Sequence, residues 1–210
     1  MPPRTITVSG VGRVGVEPDL ADLRLGVTFT SLTVRQARAA NATAMGRVID
    51  ALKGLGIESR DIQTTNLSLN AVYDYSSNTD APRLTGYTLS NTVAVTIRDI
   101  GNVGEAIDGA LEAGATSLES IAFRVEDSSA AEKLAREAAV ADAQARAAVL
   151  AAAAGVSITG VAAITESGQP IPVPLFHKEM AMMAARDAAT PVETGTNEVA
   201  VSVVVTYLIG

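Results

Sequence analysis

The last strand-like stretch limits the fold more than any other part of this chain. Val199, Val201, Val203, Val205 and Tyr207 alternate with Ala200, Ser202, Val204, Thr206 and Leu208, so both faces are largely apolar. A strand of that kind belongs in the interior of a sheet, with a neighbour on each side. The chain must therefore supply other strands to flank it, and the sequence upstream is expected to provide them.

Ile6, Val8 and Val11 sit among Thr5, Thr7 and Ser9, a short alternating run that leads into Gly10, Gly12 and Gly15. Ala21, Leu23, Leu25, Val27 and Phe29 then share one face, with Asp22, Arg24, Thr28 and Thr30 on the other, and the two strands are expected to form a hairpin. Next, Val34, Ala37, Asn41, Met45, Val48, Leu52 and Leu55 fall at helical spacing, with Thr33 and Gln36 as a capping box and Gly54 and Gly56 as the stop. Residues 62–73 read as a strand and 76–82 as an exposed loop.

Beyond that loop Tyr87, Leu89, Val93, Val95 and Ile97 alternate, Ile100, Val103, Ile107 and Leu111 return to helical spacing, and Leu118, Ile121, Phe123 and Val125 form a further strand. Ser129 and Glu132 are expected to cap a long alanine-rich helix that ends near Gly155, followed by a strand at 156–164. Alanine forms helices well but buries little area, so this helix can approach a sheet closely. Residues 166–191 lose all periodicity and are expected to be mobile or functional.

The pattern predicts an α+β fold of two small subdomains, with mixed sheets each packed by amphipathic helices. The first is placed at 1–82 plus 192–210, a ββαβ unit with a returning C-terminal strand. The second is placed at 83–166 as a ferredoxin-like βαβαβ unit, with 167–191 as an irregular Pro/Met-containing segment. Parallel connections through a helix would be right-handed.

At 210 residues and 48% hydrophobic content the chain can bury a real core, but aromatics are only 3% and tryptophan is absent, so that core must be aliphatic. A net charge of -7 with scattered basic residues excludes a general nucleic-acid role, since phosphate contacts need clustered Lys and Arg. No apolar run approaches the ~20 residues that span a bilayer, so a soluble protein without membrane insertion is expected. The opening Met1-Pro2-Pro3-Arg4-Thr5 lacks a signal-peptide pattern and reads as a cytoplasmic start or a mature form with an added Met.

Gly10, Gly12 and Gly15 match G-x-G-x-x-G, which cradles a pyrophosphate when a helix follows it. Here Val16-Glu17-Pro18-Asp19 leads into another strand, so the glycines read as part of a hairpin or bulge that needs positive φ. His177 is the sole histidine and lies in the irregular segment, a poor mount for a general base. Met180, Met182 and Met183 could join it as soft ligands for Cu(I), though methionines more often pack against partners. Asp19 with Asp22, and Glu126 with Asp127, show no calcium-loop spacing, and Asp127 beside Ser128 and Ser129 is explained by helix capping. With cysteine absent as well, no residue is assigned a catalytic, cofactor or metal role.

Several segments taken in order resemble the SIMPL-domain family of bacterial proteins. They are Ile6-Thr7-Val8-Ser9-Gly10-Val11-Gly12; Glu17-Pro18-Asp19-Leu20-Ala21; Gly56-Ile57 with Asp61-Ile62-Gln63-Thr64; Tyr87 with 91–95; Ala138-Ala139-Val140-Ala141-Asp142-Ala143; and the closing β-run after Gly195. The resemblance implies an α+β protein of two subdomains, exported to the periplasm or cell surface, with links to oxidative-stress defence and ring-like homo-oligomers in some members. It carries no catalytic residues to transfer. The leading expectation is a non-enzymatic, self-assembling envelope or stress-response protein. The rivals are a small-molecule or Cu(I)-binding exported protein using 166–191, and a hydrolase or transferase of unrecognised type.

Overall fold

The computed structural model describes residues 3–75, 82–168, 172–175 and 190–210. In chain order the elements are β1 (Thr5–Val16), β2 (Leu20–Ser31), α1 (Val34–Gly54), β3 (Ile62–Asp74), β4 (Arg83–Ile97), α2 (Val103–Ala113), β5 (Ser117–Arg124), α3 (Ser129–Ala154), β6 (Ile158–Ser167), β7 (Val173–Leu175) and β8 (Thr196–Ile209). The fold class is α+β. Two compact units form: Met1–Pro18 with Val125–Met180 and Thr194–Gly210, and Asp19–Arg124 with Ala181–Glu193. This partition differs from the expected one at 1–82 plus 192–210 and 83–166, because β3 and β4 pair with each other inside one unit instead of falling in separate ones.

In the Asp19–Arg124 unit the order of elements is β-α-β-β-α-β and the sheet order is β3-β4-β2-β5. This is the ferredoxin-like split arrangement, shifted toward the N-terminus from the expected 83–166. Each helical crossover skips one strand, β2 to β3 across β4 and β4 to β5 across β2. Every adjacent pair is therefore antiparallel, where mixed sheets were expected. Leu23, Leu25 and Val27 of β2, and Val93, Val95 and Ile97 of β4, share a core with Met45, Val48 and Leu52 of α1 and with Val103 and Ile107 of α2.

One polar residue lies in that core. Asn41 of α1 is buried and its Nδ2 donates to the carbonyl oxygens of Val27, at 2.7 Å, and Leu89, at 3.2 Å. Both amide hydrogens are thus satisfied by the two central strands, which removes the cost of burying the group and ties α1 to the sheet. At the start of α1 the Thr33 Oγ1 accepts from the Gln36 N–H at 3.3 Å, as a capping residue should. The expected reciprocal bond to the Thr33 backbone is replaced by the Thr33 hydroxyl donating to Gln36 Oε1. The helix stops where Gly56 turns to a φ of +87°.

In the other unit β8 is central. β1 runs antiparallel along one edge from Thr5 opposite Leu208 to Val16 opposite Asn197, and β6 and β7 share the other edge. The two-sided neighbours required by the apolar 199–208 pattern are present. The hairpin expected between β1 and β2 is not: β2 pairs with β4 and β5 in the other unit. The apolar period of β1 fits any strand that presents a matching face, and the fit is made by β8.

Helix α3 covers one face of this sheet. Ala131, Ala135, Ala139, Ala143, Ala147 and Ala151 form its buried stripe against Val199, Val201, Val203, Val205 and Tyr207. Gly155 ends it in the left-handed conformation, as the sequence indicates. Its start differs from the expected Ser129/Glu132 cap. Asp127 Oδ1 accepts the Ser129 N–H at 2.9 Å and the Ser128 hydroxyl donates to Glu132 at 2.7 Å. Of the segment expected to be wholly irregular, Val173–Leu175 forms β7, a short strand along one edge of β8, and Pro is tolerated in edge strands. No helix among the described residues is long and apolar enough to cross a membrane.

Candidate functional site

The three glycines of the G-x-G-x-x-G match do not form a phosphate loop. All lie within β1, none has positive φ, and Gly10 and Gly12 face the middle of α3 instead of a helix N-terminus. A Cβ on Gly12 would overlap the Ala135 carbonyl oxygen and stand 2.6 Å from the Ala139 nitrogen. One on Gly10 would overlap the Ala139 carbonyl oxygen and stand 2.6 Å from the Ala143 nitrogen. The hairpin-or-bulge reading is therefore corrected: the glycines admit a helix backbone directly onto a strand backbone. Asp142, in the same helix, accepts the Val11 N–H at 2.9 Å and pairs with Arg146. The Val11 hydrogen bond and the Arg146 pair hold the Asp142 carboxyl below its ordinary pKa.

The carboxylate pairs separate into structural roles. The Asp19 N–H donates to the Arg124 carbonyl, while the Asp22 carboxylate accepts from Arg124 Nε at 2.6 Å and from the Thr96 hydroxyl at 2.7 Å. Partial burial would raise the Asp22 pKa, but the Arg124 and Thr96 hydrogen bonds outweigh it and the carboxyl titrates below its ordinary range. A carboxylate held ionised in this way is unsuited to general acid work at neutral pH. Asp127 is occupied in capping α3. Glu126 lies between β5 and α3. His177, Met180, Met182 and Met183 lie outside the described residues. Among the described residues no three His, Cys, Asp or Glu side chains gather as metal ligands.

A cavity of about 130 Å³ opens at one end of the ferredoxin-like unit, floored by Leu55, Ile57, Ile97 and Ala106. Asp61 and Arg98 also line it, with Arg98 Nη2 at 3.2 Å from Asp61 Oδ1 and Nε at 3.3 Å from Oδ2. Ligand pockets usually span roughly 300–1,000 Å³, so this space suits a few waters better than a substrate. It holds a fork-to-fork ion pair, and the hydroxyl of its lining residue Thr96 is taken up by Asp22, which does not line it.

The outer strands are more informative. β5 is a short edge of 8 residues, bulged at Glu119, whose carboxylate accepts from Thr92 at 2.9 Å. The edge of β1 is engaged by Asp142. β3 is different: its 13 residues carry no charge before Asp74, Leu67 is 65% exposed and Leu69 44% exposed. In the other unit β6 leaves Val161 52% and Ile164 54% exposed. Sequence reasoning placed β3 but gave it no role. The signal available was the uncharged run 62–73, which a solvated outer strand does not ordinarily show.

Sequence similarity links this chain to bacterial proteins. The 26 kDa periplasmic immunogenic protein of Brucella melitensis is 37% identical over 211 aligned positions, covering 98% of this chain and 84% of that protein. The uncharacterized protein YggE of Escherichia coli K12 is 31% identical over 135 positions, covering 64% of this chain and 54% of that protein. A relative from Edwardsiella ictaluri, also described as uncharacterized protein YggE, is 29% identical over 153 positions, 73% of this chain and 64% of its own. The SIMPL family model, described as a protein of unknown function (DUF541), matches residues 6–207, and the chain belongs to the SIMPL family.

Proposed function

We propose that this chain is a non-enzymatic, self-assembling envelope protein with a part in stress defence. The observation that carries the reading is apolar surface left open on an outer strand of each unit: Leu67 and Leu69 on β3, Val161 and Ile164 on β6. Exposed apolar strand edges invite pairing with another chain, and natural proteins that keep them unguarded generally use them. The roles found for Asp22, Asp127 and Asp142, an ion pair, a helix cap and an edge contact, support a scaffold over a catalyst. The Brucella relative is named as periplasmic, and the same compartment is proposed here, with protection against oxidants as the role implied by the family.

Light scattering on the purified chain at micromolar concentration tests the assembly. A mass of several chains is expected, and a single-chain mass overturns the reading. Fractionation of cells expressing the natural gene tests the compartment, since recovery in the cytoplasm alone removes the envelope role. A deletion strain as resistant to peroxide as its parent removes the stress-defence role.

A further inference from the structure

β3 is the outer strand of the order β3-β4-β2-β5, bonded to β4 on one side and to no described strand on the other. Soluble proteins guard such edges with lysine, proline, inward charge or bulges. Residues 62–73 contain no charge and no proline. Bulges interrupt the ladder at Thr64/Asn66 and Val72/Tyr73, leaving 66–72 as a regular run of open edge. The other edges offer less: β1 gives its Val11 N–H to Asp142, β5 is short and carries Glu119, and the two bulges of β6 leave only 163–167 regular, with Glu166 among them.

We propose that β3 pairs with β3 of a second copy, antiparallel, about a two-fold axis at Ser68, extending the ferredoxin-like sheet across two chains. This rests on the assembly reading above and names its surface. Leu67 and Leu69 lie on the helix-side face, opposite Asn91 and Leu89 of β4, while Asn66, Ser68 and Asn70 lie on the other face. Residues directly opposite in an antiparallel pair share a face. An axis at Ser68 therefore sets Leu67 against the partner's Leu69, Asn66 against the partner's Asn70, and serine against serine. The matched run is Asn66–Asn70; beyond it Ala71 meets the partner's bulged Thr65, where regular pairing ends, whereas an axis at Leu67 would bring that bulge onto Leu69 and an axis at Leu69 would break the Asn66–Asn70 match. Charge agrees with the Ser68 axis. The only charge on the strand, Asp74, falls opposite the partner's Ile62, so the paired strands set no charge against a like charge. A strand with two mutually matching halves and no charge to select a foreign one fits a second copy of itself, and such a contact is the self-complementary kind that closes a dimer.

The chain has no cysteine, so Ser68→Cys introduces a single thiol that the axis places beside its own symmetry mate. Opposed residues there lie about 4.5–5.5 Å apart at Cβ, close to disulfide reach. Mild oxidation of the full chain is expected to give a covalent two-chain species within minutes. Thr30→Cys, on the interior strand β2, is expected to remain monomeric on a non-reducing gel. A second variant, Leu67→Lys with Leu69→Lys, changes two exposed positions and is expected to lower the mass by light scattering at least twofold with unchanged circular dichroism. If wild type has a multi-chain mass but Ser68→Cys crosslinks no faster than Thr30→Cys, β3 pairing is overturned whatever the lysine variant does, and assembly itself stands. If wild type has a single-chain mass, assembly and the β3 interface fall together.

Discussion

Replacing Gly12 with alanine adds one methyl group where the structure has no room for it. The new Cβ would overlap the Ala135 carbonyl oxygen and lie 2.6 Å from the Ala139 nitrogen. Both are backbone atoms of α3, so neither can rotate aside. Bringing the Ala139 approach alone out to an ordinary 3.4 Å requires the helix to retreat about 0.8 Å, and the closer Ala135 oxygen requires more. A gap of 0.5–1 Å forfeits roughly a quarter to a half of each dispersion contact along the seam, and the alanine stripe buries too little area to absorb that loss. Overpacking typically costs about 1–3 kcal/mol, and the backbone-on-backbone clash places Gly12→Ala near 3 kcal/mol. Urea unfolding followed by far-UV circular dichroism should show the midpoint lowered by about 1–3 M, given slopes of about 1–3 kcal/mol per molar. A loss below about 0.5 kcal/mol would refute the argument that close helix–strand contact is what requires this glycine.

Gly46, inside α1, has no heavy atom within 4 Å of where its Cβ would lie, so Gly46→Ala should stabilise by about 0.5–1 kcal/mol through reduced chain entropy, measured in the same urea assay. Asn41→Ala removes two buried hydrogen bonds and leaves a small void, and is expected to cost about 2–3 kcal/mol. Asn41→Asp should cost more at pH 7, because a carboxylate would face the Val27 and Leu89 carbonyl oxygens, and part of that loss should return in acid as the group regains a proton to donate. The Asp22 pKa is lowered in the folded state, so its contribution is present above the ordinary value of 3.8 and is lost as pH falls through the folded value. Asp22→Asn should therefore be less stable than wild type at pH 7, and the two midpoints should converge in urea titrations carried below pH 3.8.

Part of this molecule was legible in its residues and part was not, and the division follows the range of the forces involved. The Ala21–Phe29 alternation and the 34–55 helical spacing marked β2 and α1 because side-chain period is a local property of the backbone. Partner choice is not local. The apolar face of β1 could have served β2 or β8, and Ala135, Ala139 and Gly12 explain one another only once α3 lies on β1. Asp22 looked like a spare carboxylate until Arg124 and Thr96 were placed beside it, and no local pattern marked Asp142 as the acceptor of the Val11 N–H. The uncharged 62–73 run was visible from the start, but its meaning depended on β3 being an outer strand.

By itself, then, the sequence determined the α+β class, the interior position of the strand at 199–208, the helix stops at Gly56 and Gly155, and membership of the SIMPL family. Only the tertiary structure decided that Thr5 lies opposite Leu208, that the ferredoxin-like order belongs to 19–124, that the glycines of β1 seat a helix, and that β3 has an open edge. The physical reason is that period and capping are set by neighbouring residues. Pairing is set by whichever distant backbone and side chains offer complementary hydrogen bonds and shape at a loop-closure cost that grows only slowly with separation.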